Sequence, residues 1–255
     1  MEDMSAWARR RYTLYTLIVV VIVAILGVSA YAAFFYSPAN CFDGEQNNGE
    51  QGVDCGGSCS LICPFQAADP QVIWAQAFEI SDGVYNAAGL IENPNFTARL
   101  TGQYKLSLFN QDVIRTKEIF GPLDIGPSES QPIFEPSILT GEQEISRAFL
   151  EVVDGFEWNR DEPVDNPLVI SARTLTDTET RPRLRTTIEN TSLEAVRDIA
   201  VYALLYNREG DIVQASRTFV EYIDRDGNAE AFFTWPLPFE EEVTKIDVFT
   251  EPVEF

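Results

Sequence analysis

No histidine occurs among the 255 residues, and lysine appears only at Lys105, Lys117 and Lys245. The first absence removes the imidazole that most zinc sites use, together with the commonest general base. There is no Gly-x-Ser-x-Gly elbow and no glycine-rich phosphate loop leading into a helix. A serine or cysteine nucleophile would therefore lack its usual activating partner. Basic residues are scarce overall, 18 against 40 acidic ones, for a formal charge of −22. So acidic a chain repels nucleic acid and anionic lipid, and it suits solubility, cationic partners or divalent ions. Charge of either sign is missing altogether from Tyr12 to Phe42.

That uncharged run of 31 residues decides where the rest of the chain resides. Its centre, Leu17 to Phe35, is aliphatic or aromatic apart from Gly27, Ser29 and Tyr31. Such a length matches the ~20 residues that a helix needs to cross ~30 Å of hydrocarbon. Tyr12 and Tyr15 before it, and Tyr31 and Tyr36 after it, suit the headgroup level. Arg9, Arg10 and Arg11 precede the run, and the positive-inside bias places them in the cytoplasm. The pattern predicts a cytoplasmic tail over 1–11, a transmembrane helix over 12–36 and an extracellular remainder, anchored in the cell membrane by a single pass. A cleaved signal peptide is the competing reading, since Ala30-Tyr31-Ala32 offers a small-x-small cleavage site. The apolar run is longer than an ordinary signal core, which favours the anchor, and both readings export the same domains. The residues before Cys41, namely Pro38, Ala39 and Asn40, do not form a lipobox. Ser29 and Ala33 make one small-xxx-small pair of the kind that supports helix pairing.

All four cysteines, Cys41, Cys55, Cys59 and Cys63, fall in one window beyond the apolar run. An even count in an exported segment reads as two disulfides in an oxidising compartment. Four cysteines allow three pairings. Cys41–Cys59 with Cys55–Cys63 is favoured over pairings that join Cys59 to Cys63 in a tight ring. Residues 37–68 are rich in Gly, Asn and Asp and show neither helical nor strand periodicity, so they read as a small disulfide-held loop module. Asp43, Asn47, Glu50 and Asp54 supply hard oxygen atoms on this loop, the chemistry that calcium selects, although their spacing is not that of the twelve-residue calcium loop. A spacer held by its crosslinks, without any cofactor, is the plainer reading. The string from Cys41 through Gly52-Val53-Asp54-Cys55-Gly56-Gly57-Ser58-Cys59 resembles a short cysteine-rich module of bacterial surface proteins.

After Ala68 the chain turns to short runs rich in Val, Ile, Leu, Phe and Tyr, punctuated by Asn, Pro, Gly and Asp. This predicts an all-β chain built of sandwiches. Sliding the sequence by 97 residues sets Val72-Ile73 and Ala75 over Val169-Ile170 and Ala172, and Ile91-Glu92-Asn93 over Ile188-Glu189-Asn190. Leu108-Phe109-Asn110 then faces Leu205-Tyr206-Asn207, and nine of 39 ungapped positions are identical. Downstream, with small insertions, Pro132-Ile133-Phe134 faces Ala231-Phe232-Phe233 and Ile145 faces Ile246. A period of this size is a whole domain, so we expect two tandem immunoglobulin-like β-sandwiches, 69–156 and 157–255. In the second, Asn190 ends a strand, Ile199 to Tyr206 is too apolar for an edge, Asn207-Arg208-Glu209-Gly210 is a hairpin turn, and Ile212 to Tyr222 returns as the next strand. Asp226-Gly227 reads as a further hairpin turn.

Ala203-Leu204-Leu205-Tyr206-Asn207 resembles the name motif of the FxLYD domain, and Leu106-Ser107-Leu108-Phe109-Asn110 is its counterpart in the first half. Neither stretch keeps the leading Phe or the closing Asp. The resemblance implies an immunoglobulin-like exported module without catalytic residues, in which Tyr206 and Phe109 serve as core or strand-pairing aromatics. Asn95-Phe96-Thr97 and Asn190-Thr191-Ser192 fit the glycosylation pattern but read as turns. The expected function is a non-enzymatic, membrane-anchored binding or structural protein of the cell envelope, whose partners are the membrane and other envelope proteins, with no nucleic acid. The alternative is an envelope hydrolase using acidic residues, with calcium. A cleft with two converging carboxylates would favour it.

Overall fold

The computed structural model describes residues 6–35 and 40–252. Residues 1–5 of the expected tail, Tyr36, Pro38 and Ala39 lie outside the described residues, as do 253–255. The chain divides after Ser58 into two units.

In the first unit, helix α1 runs over Ala6–Phe35 and so begins before the expected Tyr12. Arginine is a good helix former, and Arg11 stacks on Trp7 one turn back, 4.0 Å from the ring centre, so the basic flank continues the helix. Arg9–Ala32, 24 residues whose most apolar 18-residue window has mean hydropathy 2.5, is long and apolar enough to span a membrane, and none of that window is buried against protein. From Leu17 onward it is apolar on every side, a composition shared by helices that span membranes and by signal sequences.

In the second unit, β1 (Leu61–Ile62) and a short 3-10 turn (Pro64–Gln66) precede the first sandwich. Its strands are β2 (Gln71–Ser81), β3 (Val84–Glu92), β4 (Ala98–Asn110), β5 (Arg115–Ile125), β6 (Ser130–Leu139), β7 (Ile145–Val152) and β8 (Glu157–Arg160). The second sandwich follows as β9 (Leu168–Thr176), β10 (Arg183–Asn190), β11 (Val196–Tyr206), β12 (Ile212–Ile223), β13 (Asn228–Thr234) and β14 (Lys245–Pro252). In the first, sheet β2-β3-β6 faces a sheet in which β4 pairs with β5 on one side and with β7 and β8 on the other. In the second, β9-β10-β13 faces β12-β11-β14, so the strand order of the first recurs. Inward residues close a core in each: Ile91, Leu100, Leu106, Leu108 and Ile125 in the first, and Leu184, Ile188, Val201, Leu205 and Phe233 in the second.

Paired asparagines end equivalent strands. The Asn93 side chain donates to the carbonyls of Ala98, Ile125 and Gly126, and Asn190 donates to those of Glu194, Ile223 and Asp224. Both are buried, and both Oδ1 atoms accept from the backbone N–H two residues on, at Asn95 and Ser192. The hairpins after β4 and β11 match as well. Asn110 Oδ1 accepts from the Ile114 N–H at 2.9 Å, and Asn207 Oδ1 from the Asp211 N–H at 2.8 Å. At the buried corners the groups so satisfied are ones that burial would otherwise penalise.

Four expectations need correction. Asp226-Gly227 is not a hairpin turn, because β12 and β13 belong to different sheets and the turn carries the chain across the sandwich. Glu157–Arg160 pairs with β1 and with Ala98–Thr101 of β4, so these residues extend the first sandwich rather than open the second. Trp158 explains this, since its ring is buried in the first core. Leu61–Ile62, expected as loop, is a strand of the same sheet. Finally, ladder partners set Ile133 opposite Gly89 and Ala231 opposite Thr186, while Leu150 and Val248 face Leu106 and Ala203. The downstream halves therefore align Ile133 with Ala231 and Leu150 with Val248. Matching Ile133 to Phe232 is one residue out of phase and would put a core side chain over one that is 59% exposed.

Candidate functional site

Strand β11 builds the site. Alternate residues of a strand point to opposite faces. Ile199, Val201, Ala203 and Leu205 enter the second core, whereas Ala200, Tyr202, Leu204 and Tyr206 form the opposite face. That outer face is buried too, against Phe78, Ala88 and Phe134 of the first sandwich, with Trp74 and Leu90 packed beside them. The sandwiches are thus joined sheet to sheet through a third apolar cluster. Tyr206, the motif aromatic, belongs to this join, while Phe109 stays half-buried on β4 opposite Arg115 and Arg147.

The cover is incomplete at one end of β11. Ladder pairing aligns Phe219, Ala200 and Glu251 in one row and Arg217, Tyr202 and Phe249 in the next. The small Ala200 leaves a dip between a phenyl ring and a carboxylate. A groove of about 1250 Å³ opens there, walled by β5, β6 and Tyr104 of the first sandwich, by this face of the second and by the connecting residues 164–168. Arg217 lies 5.3 Å from the Phe219 ring centre, 5.9 Å from Phe134 and 6.0 Å from Tyr202, a guanidinium held among aromatic faces.

A polar bond crosses the join, where Gln131 Nε2 donates to Glu251 Oε1 at 3.4 Å. Within the second sandwich the Tyr202 hydroxyl donates to Glu251 Oε2 at 3.3 Å. Burial pushes the Glu251 carboxyl above its usual range, repulsion from Asp124 and Glu129 adds to this, and the Tyr202 hydroxyl and Arg217 oppose it. Burial and the neighbouring Glu135, to which the Tyr104 hydroxyl donates at 2.5 Å, raise the Tyr104 phenol. Arg99 is tied to Asp124 at 2.8 Å and to Asp161 at 2.7 Å. No sequence motif marks this groove, because its residues are scattered over more than a hundred positions.

The cysteine region is organised differently. All four of Cys41, Cys55, Cys59 and Cys63 are in disulfides, which removes thiolate ligands. The four oxygen-bearing residues do converge, but mainly on backbone amides. Asp54 Oδ1 accepts from the N–H groups of Asp43 and Gly44, and Glu50 Oε2 from those of Asn47 and Asp54. Asp43 accepts from the Asn47 side chain at 2.8 Å and from the Glu45 N–H at 2.9 Å, and these bonds hold its carboxyl below the usual range. A cation at Asp43, Asn47, Glu50 and Asp54 would compete with bonds that already shape the loop. Gly57 is required there, since a Cβ on it would collide with the Gly49 carbonyl. Beyond Cys59 the segment docks onto the first sandwich, where Asn95 and Ala68 exchange hydrogen bonds at 2.8 and 2.9 Å. Asn190 of the other glycosylation-like triplet is 2% exposed.

No protein-family model matches the chain, and no curated protein matches its sequence. Among solved structures it is similar to red sea bream transglutaminase, at 9% identity over 74% of this chain and 32% of that one, with a TM-score of 0.26. A β-glucuronidase from glycoside hydrolase family 2 gives 10%, 67%, 24% and 0.24 in the same terms. The N-terminal CBM22-1-CBM22-2 tandem domain from Paenibacillus barcinonensis Xyn10C gives 8%, 72%, 84% and 0.16. The chain spans about a third of the transglutaminase and a quarter of the β-glucuronidase. Likeness this low assigns neither activity nor ligand.

Proposed function

We propose that this protein is a single-pass, membrane-anchored, non-enzymatic binding protein of the cell envelope, with its tail in the cytoplasm and residues 37–255 outside. The observation that carries the reading is the helix Arg9–Ala32, uncharged from Tyr12 onward and buried against no protein, with three arginines at its start. Four disulfide-bonded cysteines beyond the helix fit an oxidising compartment. The lack of histidine and of any activated nucleophile supports binding over catalysis. The matching asparagine corners and hairpins support descent of both sandwiches from one duplicated FxLYD-like unit. In this role the joined sandwiches present their surface outside the cell, and neighbouring envelope proteins are the partners. Alkaline extraction of membranes, combined with protease treatment of intact cells, tests it. The full-length chain should stay in the pellet and lose residues beyond 40 to external protease. A soluble mature chain beginning near Ala33 would overturn the anchor.

A further inference from the structure

We propose that the groove at the join of the two sandwiches is a docking site for an extended basic segment of a partner protein, one in which lysine or arginine alternates with aliphatic residues. The inference deepens the binding role proposed above and rests on it. Three observations lead to it.

The first is charge. Carboxylates of Asp124, Glu129, Asp165 and Glu251 stand around the groove against Arg99 and Arg217 alone. Arg99 is already committed to Asp124 and Asp161, and Arg217 is held among three aromatic rings. Glu129 and Asp165 form no ion pair among the described residues. The groove therefore carries an uncompensated negative potential between low-dielectric walls, which focuses it on whatever enters. A cationic head group would relieve the repulsion that Asp124 and Glu129 exert on Glu251.

The second is apolar surface. Phe219 is 62% exposed and Val164 70% exposed, and both line the groove. Aliphatic side chains, or the stems of lysine and arginine, cover such surface while their charged heads reach outward. The third is size. About 1250 Å³ exceeds the ~300–1,000 Å³ typical of sites for small molecules and suits several residues of extended chain. Arg217 shows the recognition chemistry in place, a guanidinium lying among Phe134, Tyr202 and Phe219.

The test uses the full chain in nanodiscs of zwitterionic lipid, at about 0.15 M salt to screen diffuse attraction to an acidic surface. Fluorescein-labelled octapeptides alternating leucine with lysine, glutamine or glutamate are titrated by anisotropy, with empty nanodiscs subtracted. The lysine peptide should bind about tenfold more tightly than the glutamine one, and the glutamate peptide not at all. Glu251→Gln and Phe219→Ser should each weaken the lysine peptide about tenfold, while Glu142→Gln, an exposed carboxylate away from the groove, leaves it unchanged. Phe219 is exposed, so its variant keeps the test open even if Glu251→Gln misfolds. Equal binding of lysine and glutamine peptides, no binding of the lysine peptide, or equal weakening by Glu142→Gln would overturn the proposal. None of these results depends on membrane topology, so they are separable from the extraction experiment.

Discussion

Trp74 of the first sandwich and Tyr206 of the second meet edge to face across the join, ring centres 6.4 Å apart and planes at 82°. Such a pair contributes about 0.5–1.5 kcal/mol beyond the area it buries. It sits in a cluster that leaves β11 buried on both faces, an arrangement expected of a strand inside one domain rather than at a flexible junction.

Leu204 and Leu205 are neighbours on β11 with opposite duties, one in the join and one in the core, and both are essentially inaccessible. Leu204→Ala and Leu205→Ala should each cost about 2–5 kcal/mol. Hydrogen exchange should tell them apart. The first should leave amide protection intact inside both cores, and the second should lower it across β10 and β13.

Asn93 and Asn190 each direct an amide at three backbone carbonyls, through bonds that are all buried at Asn93 and partly buried at Asn190. Replacing either by Ala should cost about 3 kcal/mol, since carbonyls in the interior lose their donor. Asn93→Asp and Asn190→Asp should be worse near neutral pH, because a carboxylate would face oxygen atoms. Thermal unfolding of the four variants checks this, and similar losses are expected in the two sandwiches.

These corners were legible in the sequence because Ile-Glu-Asn recurs at a fixed offset, and the helix was legible because no charge interrupts it. The centrality of β11 was legible too, but not its reason. Apolar residues on both faces look the same whether the second face meets another sheet of its own domain or a neighbouring domain. The role of Asp226-Gly227 was hidden because the same turn chemistry serves a hairpin and a sheet crossing. Phase was lost downstream where pairwise identity ran out, and only the ladder partners restored it. The groove left no local trace, since pairing across β11, β12 and β14 assembles it.

Burial holds the Glu251 carboxyl above the ordinary range, so the folded state binds its proton more tightly than the unfolded chain. Its contribution to stability is therefore complete below the ordinary carboxylate range and is lost as pH rises through the raised value. Glu251→Gln should match the wild type in acid and become relatively more stable as pH rises towards neutrality. Unfolding midpoints measured across that interval check it, and a wild type that gains on the variant with rising pH would contradict it. Asp124, Glu129, Arg217, Tyr202 and Gln131 surround the group and stay constant in the comparison.

Asp54→Asn would place an amide donor against the Asp43 and Gly44 N–H groups, which now have a carboxylate to bind. Those two amides should exchange faster, at a cost of about 1–3 kcal/mol confined to the loop. Millimolar calcium should leave the midpoint of the wild type unchanged, because the carboxylate oxygens already accept backbone bonds. Reduction with dithiothreitol should open residues 40–58 and spare both sandwich cores, as read by the same exchange experiment.

The account rests on the two sandwiches moving as one body. Pulsed electron spin resonance on the full chain in nanodiscs, with non-cysteine spin labels at the exposed positions Lys117 and Glu230, measures this directly. A single narrow distance distribution, broadened in Leu204→Asp, is the predicted result. A broad or multimodal distribution in the wild-type chain would contradict it.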